Sequence, residues 1–229
     1  MKSFLLILIG TATIAGCAPH IPPQTVALTA QTPADFPAGY YQQAKAAGRK
    51  ILRVDPHHSL VTIVVRRGGA LARLGHDHVV ASHDVRGYVD PDGGRADLYV
   101  ALERLVVDEP NLRAEAGLST QPSKEAIEGT RRNMLEKVLE AEHFPFALIS
   151  VIRDTKGSSA LHVTITLHGT SKTWEVPAQI ENLAGGIRLH GQMTFNQTDF
   201  GITPFSILGG AIQVQDRLDL RFQIHAVEN

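Results

Sequence analysis

The C-terminal stretch constrains the fold most, because it alternates apolar and polar residues for about fifteen positions with one break, at Asp216. Successive side chains of a β-strand point to opposite faces of the sheet, so this pattern predicts a long strand with one buried face. The apolar set is Ile212, Val214, Leu218, Leu220, Phe222 and Ile224, and the polar set is Gln213, Gln215, Arg217, Asp219, Arg221, Gln223 and His225.

Shorter β-branched or alternating runs predict further strands, separated by turns that contain Gly or Asn. One helical region is predicted between about Ser123 and Glu140, with a division at Gly129. Several antiparallel strands with one apolar face and one flanking helix predict an all-β fold, an antiparallel β-barrel of about eight strands. The other strands predicted are Ser59 to Val65, Val85 to Val89, Asp97 to Leu102, Phe146 to Ile152, Leu161 to His168, Trp174 to Ile180 and Arg188 to Phe195.

Residues 1–16 have the pattern of a secretory signal, with a basic start, a short apolar run and small residues at the end. The apolar run is too short to span a bilayer of roughly 30 Å as a helix. Ile14-Ala15-Gly16-Cys17 resembles the bacterial lipobox, which implies cleavage before Cys17 and acylation of this residue. By the same resemblance, Ala18 after the cysteine implies the periplasmic side of the outer membrane as the location. An ordinary signal peptide with an incidental cysteine is the alternative.

Composition divides the rest of the chain into two parts. Residues 17–50 are rich in Pro and Ala and predict a tether, with a short helix over Tyr40 to Ala47, and residues 51–229 form the barrel domain. The net charge of −1 gives no basis for a nucleic-acid partner. The chain has no nucleophile elbow, phosphate-binding glycine loop or H-E-x-x-H motif, which favours a binding protein over an enzyme.

His76-Asp77-His78 is the sequence feature with the strongest chemical potential. In extended backbone the two imidazoles share a face and could approach one metal ion, with His83 or Asp84 as a third ligand. Two alternatives are a structural turn pinned by Asp77 and a single axial haem ligand. Metal-dependent activity at this pair stays open. The strand histidines, in contrast, are predicted to face solvent: His162, His168, His190 and His225.

Three short motifs resemble the YceI-like family in order and spacing: Ala141–Pro145, Leu167–Lys172 and Asp199–Ile202, within about Val54 to Ala226. The resemblance implies a lipocalin-like barrel in a periplasmic protein, with a long apolar tunnel that holds a polyisoprenoid or a related amphipathic lipid such as a quinone-type molecule. Gln197 stands where the family often has an arginine, which leaves the identity of the lipid open.

The leading hypothesis is therefore a binding protein on the periplasmic side of the outer membrane, anchored through acylated Cys17 and holding an isoprenoid-like lipid. A metal- or haem-binding envelope protein that uses His76 and His78 is the second, and a structural protein that binds an unspecified protein partner is the third. Small residues such as Gly87 and Gly191 in the inward set favour an open interior. The residues predicted to face this interior and contact the lipid are Ile63, Leu98, Val100, Leu148, Val163, Ile165, Phe195, Leu220 and Phe222.

Overall fold

One antiparallel sheet dominates the structure, a computed structural model that describes residues 31–153 and 160–228. Within these residues the sheet has twelve strands. They are β1 (Leu52–Val54), β2 (Leu60–Gly68), β3 (His78–Ser82), β4 (Val85–Asp90), β5 (Arg95–Ala101), β6 (Val106–Val107), β7 (Phe146–Arg153), β8 (Ala160–Leu167), β9 (Thr170–Leu183), β10 (Gly186–Asn196), β11 (Ser206–Ile207) and β12 (Ile212–Glu228).

The sheet closes on itself because β12 pairs with β10 on one side and with both β2 and β1 on the other. Two of the barrel strands are interrupted. β1 and β2 together form one of them and β3 and β4 the other, because β2 pairs with β3 and β1 pairs with β4. The order then runs from β4 through β5, β7, β8, β9 and β10 to β12. The result is a closed eight-stranded antiparallel barrel, and the predicted fold class is confirmed.

The long C-terminal strand shows how closely the sequence pattern determines the geometry. The pairing of β12 with β2 shifts register between Val214 and Leu218, where the alternation breaks. Four steps along β12 match two steps along β2 here, and extra residues of this kind form a β-bulge and turn the local side chains. Asp216 lies in the bulge, outside the regular pairing with β2. Its carboxylate accepts hydrogen bonds from the backbone N–H and the hydroxyl of Thr198, at 2.9 and 2.6 Å.

Within the described residues three helices accompany the barrel: α1 (Ala38–Ala46), where a short helix is predicted over Tyr40 to Ala47, α2 (Pro110–Glu115), which is not predicted, and α3 (Lys124–Asn133), which continues in a π-helical turn over Met134–Val138. The Oγ of Ser123 caps α3 by accepting a hydrogen bond from an N–H in its first turn. The predicted division at Gly129 is wrong, because α3 runs through this residue. The cost of a helical glycine, about 1 kcal/mol, is outweighed by packing of the helix and its π-helical turn on the barrel core.

The last part of the segment predicted as a tether, residues 17–50, contains α1, which packs on the barrel wall. Phe36 and Tyr41 are buried, and the ring of Phe36 lies 5.0 Å from that of Tyr99. The hydroxyl of Tyr41 donates to Oδ2 of Asp97 at 2.7 Å. Aromatic residues within a Pro- and Ala-rich segment supply the apolar surface that makes docking favourable. Cys17 and the predicted signal lie outside the described residues, which contain no helix long and apolar enough to cross a membrane.

Candidate functional site

The interior of the barrel contains three adjoining chambers. The upper chamber, at the end where β12 begins, has a volume of about 310 Å³, the middle chamber about 170 Å³ and the lower chamber about 100 Å³. Ile63 and Phe195 line both the upper and the middle chamber, and Leu98 and Ile224 line both the middle and the lower one. Of the described residues that line the middle chamber, only Ser82 has a polar side chain.

The three chambers together follow β12 from Val214 to Ala226. At about 3.3 Å per residue this is roughly 40 Å of strand, or about 30 Å along a barrel axis to which the strands are tilted by about 40°. The fold thus positions one continuous row of apolar chambers, long enough for an extended chain molecule.

Eight of the nine residues predicted to face the interior line the middle chamber: Ile63, Leu98, Val100, Val163, Ile165, Phe195, Leu220 and Phe222. Their contact with a ligand stays a prediction.

The inward assignment of Leu148 is wrong. Its neighbours Ala147 and Ile149 line the middle chamber, whereas Leu148 pairs with Tyr99 on the outer face. Strand β7 carries apolar residues on its outer face as well, at Phe146, Leu148 and Ile152. A strand that is apolar on both faces has no alternation that would reveal which residues point inward.

The upper chamber is closed on one side by the π-helical turn that follows α3. Met134 and Val138 line this chamber, and each also packs against a cluster of buried apolar residues of the barrel. The residues that pack this turn on the barrel therefore also form a wall of the cavity. On the other side the wall comes from the segment after β10, through Phe200, Ile202 and Phe205.

Polar groups concentrate at the mouth of the upper chamber. His76 and His78 both line it, as their i, i+2 spacing predicts, and their ring centroids are 6.2 Å apart. His78 begins β3 opposite Val65, and its Nδ1 lies 2.6 Å from Oδ2 of Asp108. The orientation of the His78 ring is therefore fixed from behind by a carboxylate.

Asp108 is fully buried and takes part in a network that no sequence motif reveals. Its Oδ1 accepts hydrogen bonds from the N–H of Val79 at 3.0 Å and from Nη1 of Arg113 at 2.5 Å, and Arg113 is itself buried. Burial alone would raise the pKa of Asp108, but the hydrogen bonds from His78, Val79 and Arg113 lower the pKa below its usual value. Because the carboxylate is ionised, Nδ1–H of His78 donates to it, which leaves Nε2 free to accept a hydrogen bond.

A family model for the YceI-like domain matches residues 52–226. The chain belongs to the YceI-like family. Among solved structures it is similar to a polyisoprenoid binding domain from Saccharophagus degradans implicated in plant cell wall breakdown (TM-score 0.56, 12% identity, 79% of this chain and 99% of that chain). It is also similar to BcnA of Burkholderia cenocepacia (TM-score 0.51, 15% identity, 75% and 98%). No curated protein sequence matches the chain. At these identities the likeness shows the fold.

The YceI-like motif at Asp199–Ile202 has a structural explanation. Asp199 caps a 3₁₀ turn by accepting the N–H of Asn196 at 2.9 Å, and Phe200 is fully buried against the ring of Phe195. Gly201 has a φ of 72°, which favours glycine. Gln197, at the position where the family often has an arginine, lines the upper chamber and donates to the carbonyl of Gln215 at 2.9 Å.

The geometry does not bring the predicted third metal ligands to the histidine pair. Nε2 of His83 lies 2.7 Å from a carboxylate oxygen of Glu109, and Asp84 forms ion pairs with two arginines. Within the described residues, the one group of three His, Cys, Asp or Glu side chains with ligand atoms close together excludes both His76 and His78. The metal alternative therefore has no geometric support at the mouth.

Two of the strand histidines do not face solvent as predicted. The side chain of His168 is 19% exposed and packs on the ring of Phe144, with centroids 4.5 Å apart. The side chain of His225 is 18% exposed and lies beside Asp55. His168 follows the end of β8, whereas His225 lies within β12, where the turn between β1 and β2 packs beside it. His190 is exposed, as predicted, and its Nε2 lies 2.9 Å from Oε1 of Gln179.

Proposed function

We propose that the barrel binds one amphipathic lipid of the isoprenoid or quinone type, with its tail in the middle and lower chambers and its head at the mouth. The observation that carries the proposal is the row of apolar chambers that ends beside a single oriented imidazole, His78. The polyisoprenoid-binding description of the similar Saccharophagus degradans domain supports the same ligand class. The proposed role is binding rather than catalysis.

Burial of the tail supplies the affinity. Each methylene removed from water contributes about 0.8 kcal/mol, so roughly ten buried groups contribute about 8 kcal/mol before the cost of ordering the chain. A dissociation constant of about 1 μM corresponds to a net value of about 8 kcal/mol, so burial of the tail has to exceed that value by the ordering cost to reach it. Burial of the tail supplies affinity with little selectivity, and the polar groups at the mouth supply the selectivity.

The head of the ligand meets His78. Because Nδ1 is committed to Asp108, Nε2 of the neutral ring accepts a hydrogen bond from a hydroxyl, and the protonated ring donates one to a carbonyl. The first hydrogen bond suits the hydroxyl of an isoprenoid alcohol, and the second suits the carbonyl of a quinone.

The ligand is tested by native mass spectrometry of the full chain, followed by solvent extraction and identification of the released molecule. Ile149→Trp fills the middle chamber, whereas Leu148→Trp places the same bulk on the outer face of the adjacent position. We expect the lipid content per folded protein to fall at least several-fold in Ile149→Trp and to stay unchanged in Leu148→Trp.

Val163→Phe, on the neighbouring strand, provides a second obstruction of the middle chamber if Ile149→Trp folds poorly by circular dichroism. Extraction of no lipid from the folded wild-type chain, or equal lipid in all of these variants, would exclude the proposal.

The same protein is proposed to be held on the periplasmic side of the outer membrane by acylated Cys17, the one cysteine in the chain. Cys17→Ser should move the protein from the membrane fraction to the soluble periplasmic fraction, because a thiol is required for the acyl transfer that the lipobox resemblance implies. Thr13→Ser, which leaves the Ile14–Cys17 motif intact, is the control. Membrane fractionation that is equal in Cys17→Ser and wild type would contradict the anchor.

A further inference from the structure

Three side chains converge on the outer face of the barrel at its closing seam. Nδ1 of His58 lies 2.6 Å from Oδ2 of Asp55, and Nδ1 of His225 lies 4.0 Å from the same oxygen. One ligand atom from each of the three residues lies within 4.8 Å of the other two, and this is the one such group in the part of the chain that the structure describes. The group is distinct from the cavity, because none of the three residues lines any of the three chambers.

The backbone holds this cluster in place where β12 changes partner. β12 pairs with β2 as far as Gln223 and with β1 from Ala226, so His225 lies at the change. The N–H of His225 donates to Oγ of Ser59 at 3.0 Å, and its carbonyl accepts the N–H of Asp55 at 2.8 Å. Residues far apart in the chain are thereby fixed side by side before any ligand is present.

The turn between β1 and β2 orients the carboxylate. Pro56–His58 forms one 3₁₀ turn, and Oδ1 of Asp55 caps it by accepting the N–H of His57 at 3.0 Å. Oδ2 of the same carboxylate is left to face the two imidazoles. A side chain that is fixed by one oxygen and offers the other is preorganised for a cation.

His225 has an unmet requirement that a cation would satisfy. Its Nδ1 is buried and has no hydrogen-bond partner among residues 31–153 and 160–228. Buried polar atoms are nearly always paired in folded proteins, so each unpaired one requires an explanation. His58, in contrast, has a side chain that is 70% exposed, which leaves the cluster open to ions from solvent.

We propose that Asp55, His58 and His225 bind a divalent transition-metal ion, with zinc as the representative. Two imidazoles and one carboxylate are a usual three-ligand set for zinc, with water in the fourth position. Bond lengths of about 2.0–2.1 Å place tetrahedral ligand atoms about 3.3 Å apart, between the two separations observed here, so small side-chain rotations complete the site. Calcium and magnesium are disfavoured because they prefer six or more oxygen ligands.

The consequence of binding would be a clamp on the seam of the barrel. The ion would join the β1–β2 turn to β12, two segments separated by about 170 positions in the sequence but in direct contact in the fold. A ligand that binds only the folded chain stabilises it, so the melting temperature should rise with zinc concentration. This inference does not depend on the lipid proposal, since the two sites use different residues.

The test is a titration of the metal-stripped full chain with Zn²⁺ against a competing chromophoric chelator. We expect one equivalent to bind to wild type, with affinity lowered more than about tenfold in His58→Ala and Asp55→Asn, since even contacts behind the ligands are worth that much. His57→Ala is the matched control, because His57 is the adjacent exposed histidine of the same turn and is not part of the group. Its affinity should equal that of wild type.

Two further measurements make the outcome decisive. Zn²⁺ should raise the melting temperature of wild type and of His57→Ala but not of His58→Ala. Co²⁺ should give the visible absorption of a tetrahedral site in wild type and His57→Ala only. Equal zinc affinity in wild type and His58→Ala would overturn the proposal. Loss of binding only in His76→Ala/His78→Ala would do so as well, and would assign the metal to the mouth.

Discussion

Asp108 is the residue on which the mouth of the cavity depends. It joins His78, which faces the upper chamber, to Arg113, which is buried and also donates to the carbonyls of Asp77 and Thr120. A buried ion pair contributes little net stability, but removal of one partner leaves the other charge uncompensated. The conformation of the mouth is therefore tied to a group that makes no contact with the cavity itself.

Asp108→Asn should lower the free energy of unfolding by about 3 kcal/mol, because the guanidinium of Arg113 loses its counter-charge in a buried site. Urea denaturation measures this loss. Asp92→Asn, at an exposed turn, is the control and should change the free energy by less than about 0.5 kcal/mol. A loss in Asp108→Asn no larger than that of the control would contradict the role assigned to Asp108.

The same residue predicts part of the acid sensitivity of the protein. The pKa of Asp108 is lower in the folded chain than in the unfolded chain, so its stabilising contribution is present above a pH of about 4 and is lost as the pH falls further. Wild type should therefore lose stability more steeply than Asp108→Asn below about pH 4. Equal slopes in denaturation series across this range would show that the carboxylate does not carry the effect.

At the scale of elements, the sequence is most informative where one face of a strand is buried and the other is not. β12 fulfils this condition, so both its length and the bulge at Asp216 are predictable from the alternation. β7 is less informative, because its outer face carries apolar residues although it is not buried, and the direction of Leu148 cannot be read from the pattern as a result. Asp108 was not predictable for a different reason, since its partner His78 is 30 positions away and no local pattern connects them.

The Pro- and Ala-rich composition of residues 17–50 does not reveal that helix α1 packs on the barrel. The hydroxyl of Tyr41 donates to Asp97, which also receives Nε of Arg95 at 2.6 Å. Burial raises the pKa of Tyr41, and the hydrogen bond to Asp97 and its charge raise the pKa further. The contribution of Tyr41 to stability is therefore present below a pH of about 10, the usual tyrosine value, and is lost as the pH rises above it.

Tyr41→Phe should lower the free energy of unfolding by about 1.5–3 kcal/mol at neutral pH, because a hydrogen bond to a charged group is removed. It should also remove the steeper part of the loss above about pH 10, since phenylalanine cannot ionise. Tyr88→Phe, in the same aromatic cluster, is the control. Hydrogen exchange of the α1 amides, measured at neutral pH and above about pH 10, shows whether the helix opens. An alkaline loss of stability in Tyr41→Phe equal to that of wild type would contradict this account.

At the scale of the whole molecule, closure of the barrel depends on one strand, β12, which pairs with barrel strands on both of its sides. β12 contacts β10, β2 and β1, and its pairing with β1 joins Leu52 to Glu228. Alternation predicts that these strands exist, but it contains no information on which of them become neighbours. The resemblance to the YceI-like family implied a lipocalin-like barrel with an apolar tunnel, whereas the strand order and the mouth of the cavity required the three-dimensional structure.

A barrel with an unfilled apolar interior lacks the contacts that a solid core would have, so a lipid in the chambers should stabilise the whole fold. A ligand at about one hundred times its dissociation constant adds about 2.7 kcal/mol, and for a domain of this size each kcal/mol raises the melting temperature by about 2–4 °C. We therefore expect removal of the lipid by solvent to lower the melting temperature by about 5–10 °C, and reconstitution with the extracted lipid to restore it. Ile149→Trp should show neither change, because its middle chamber is already filled. A delipidated wild-type chain that melts at the temperature of the loaded one would mean that the chambers are not where the lipid binds.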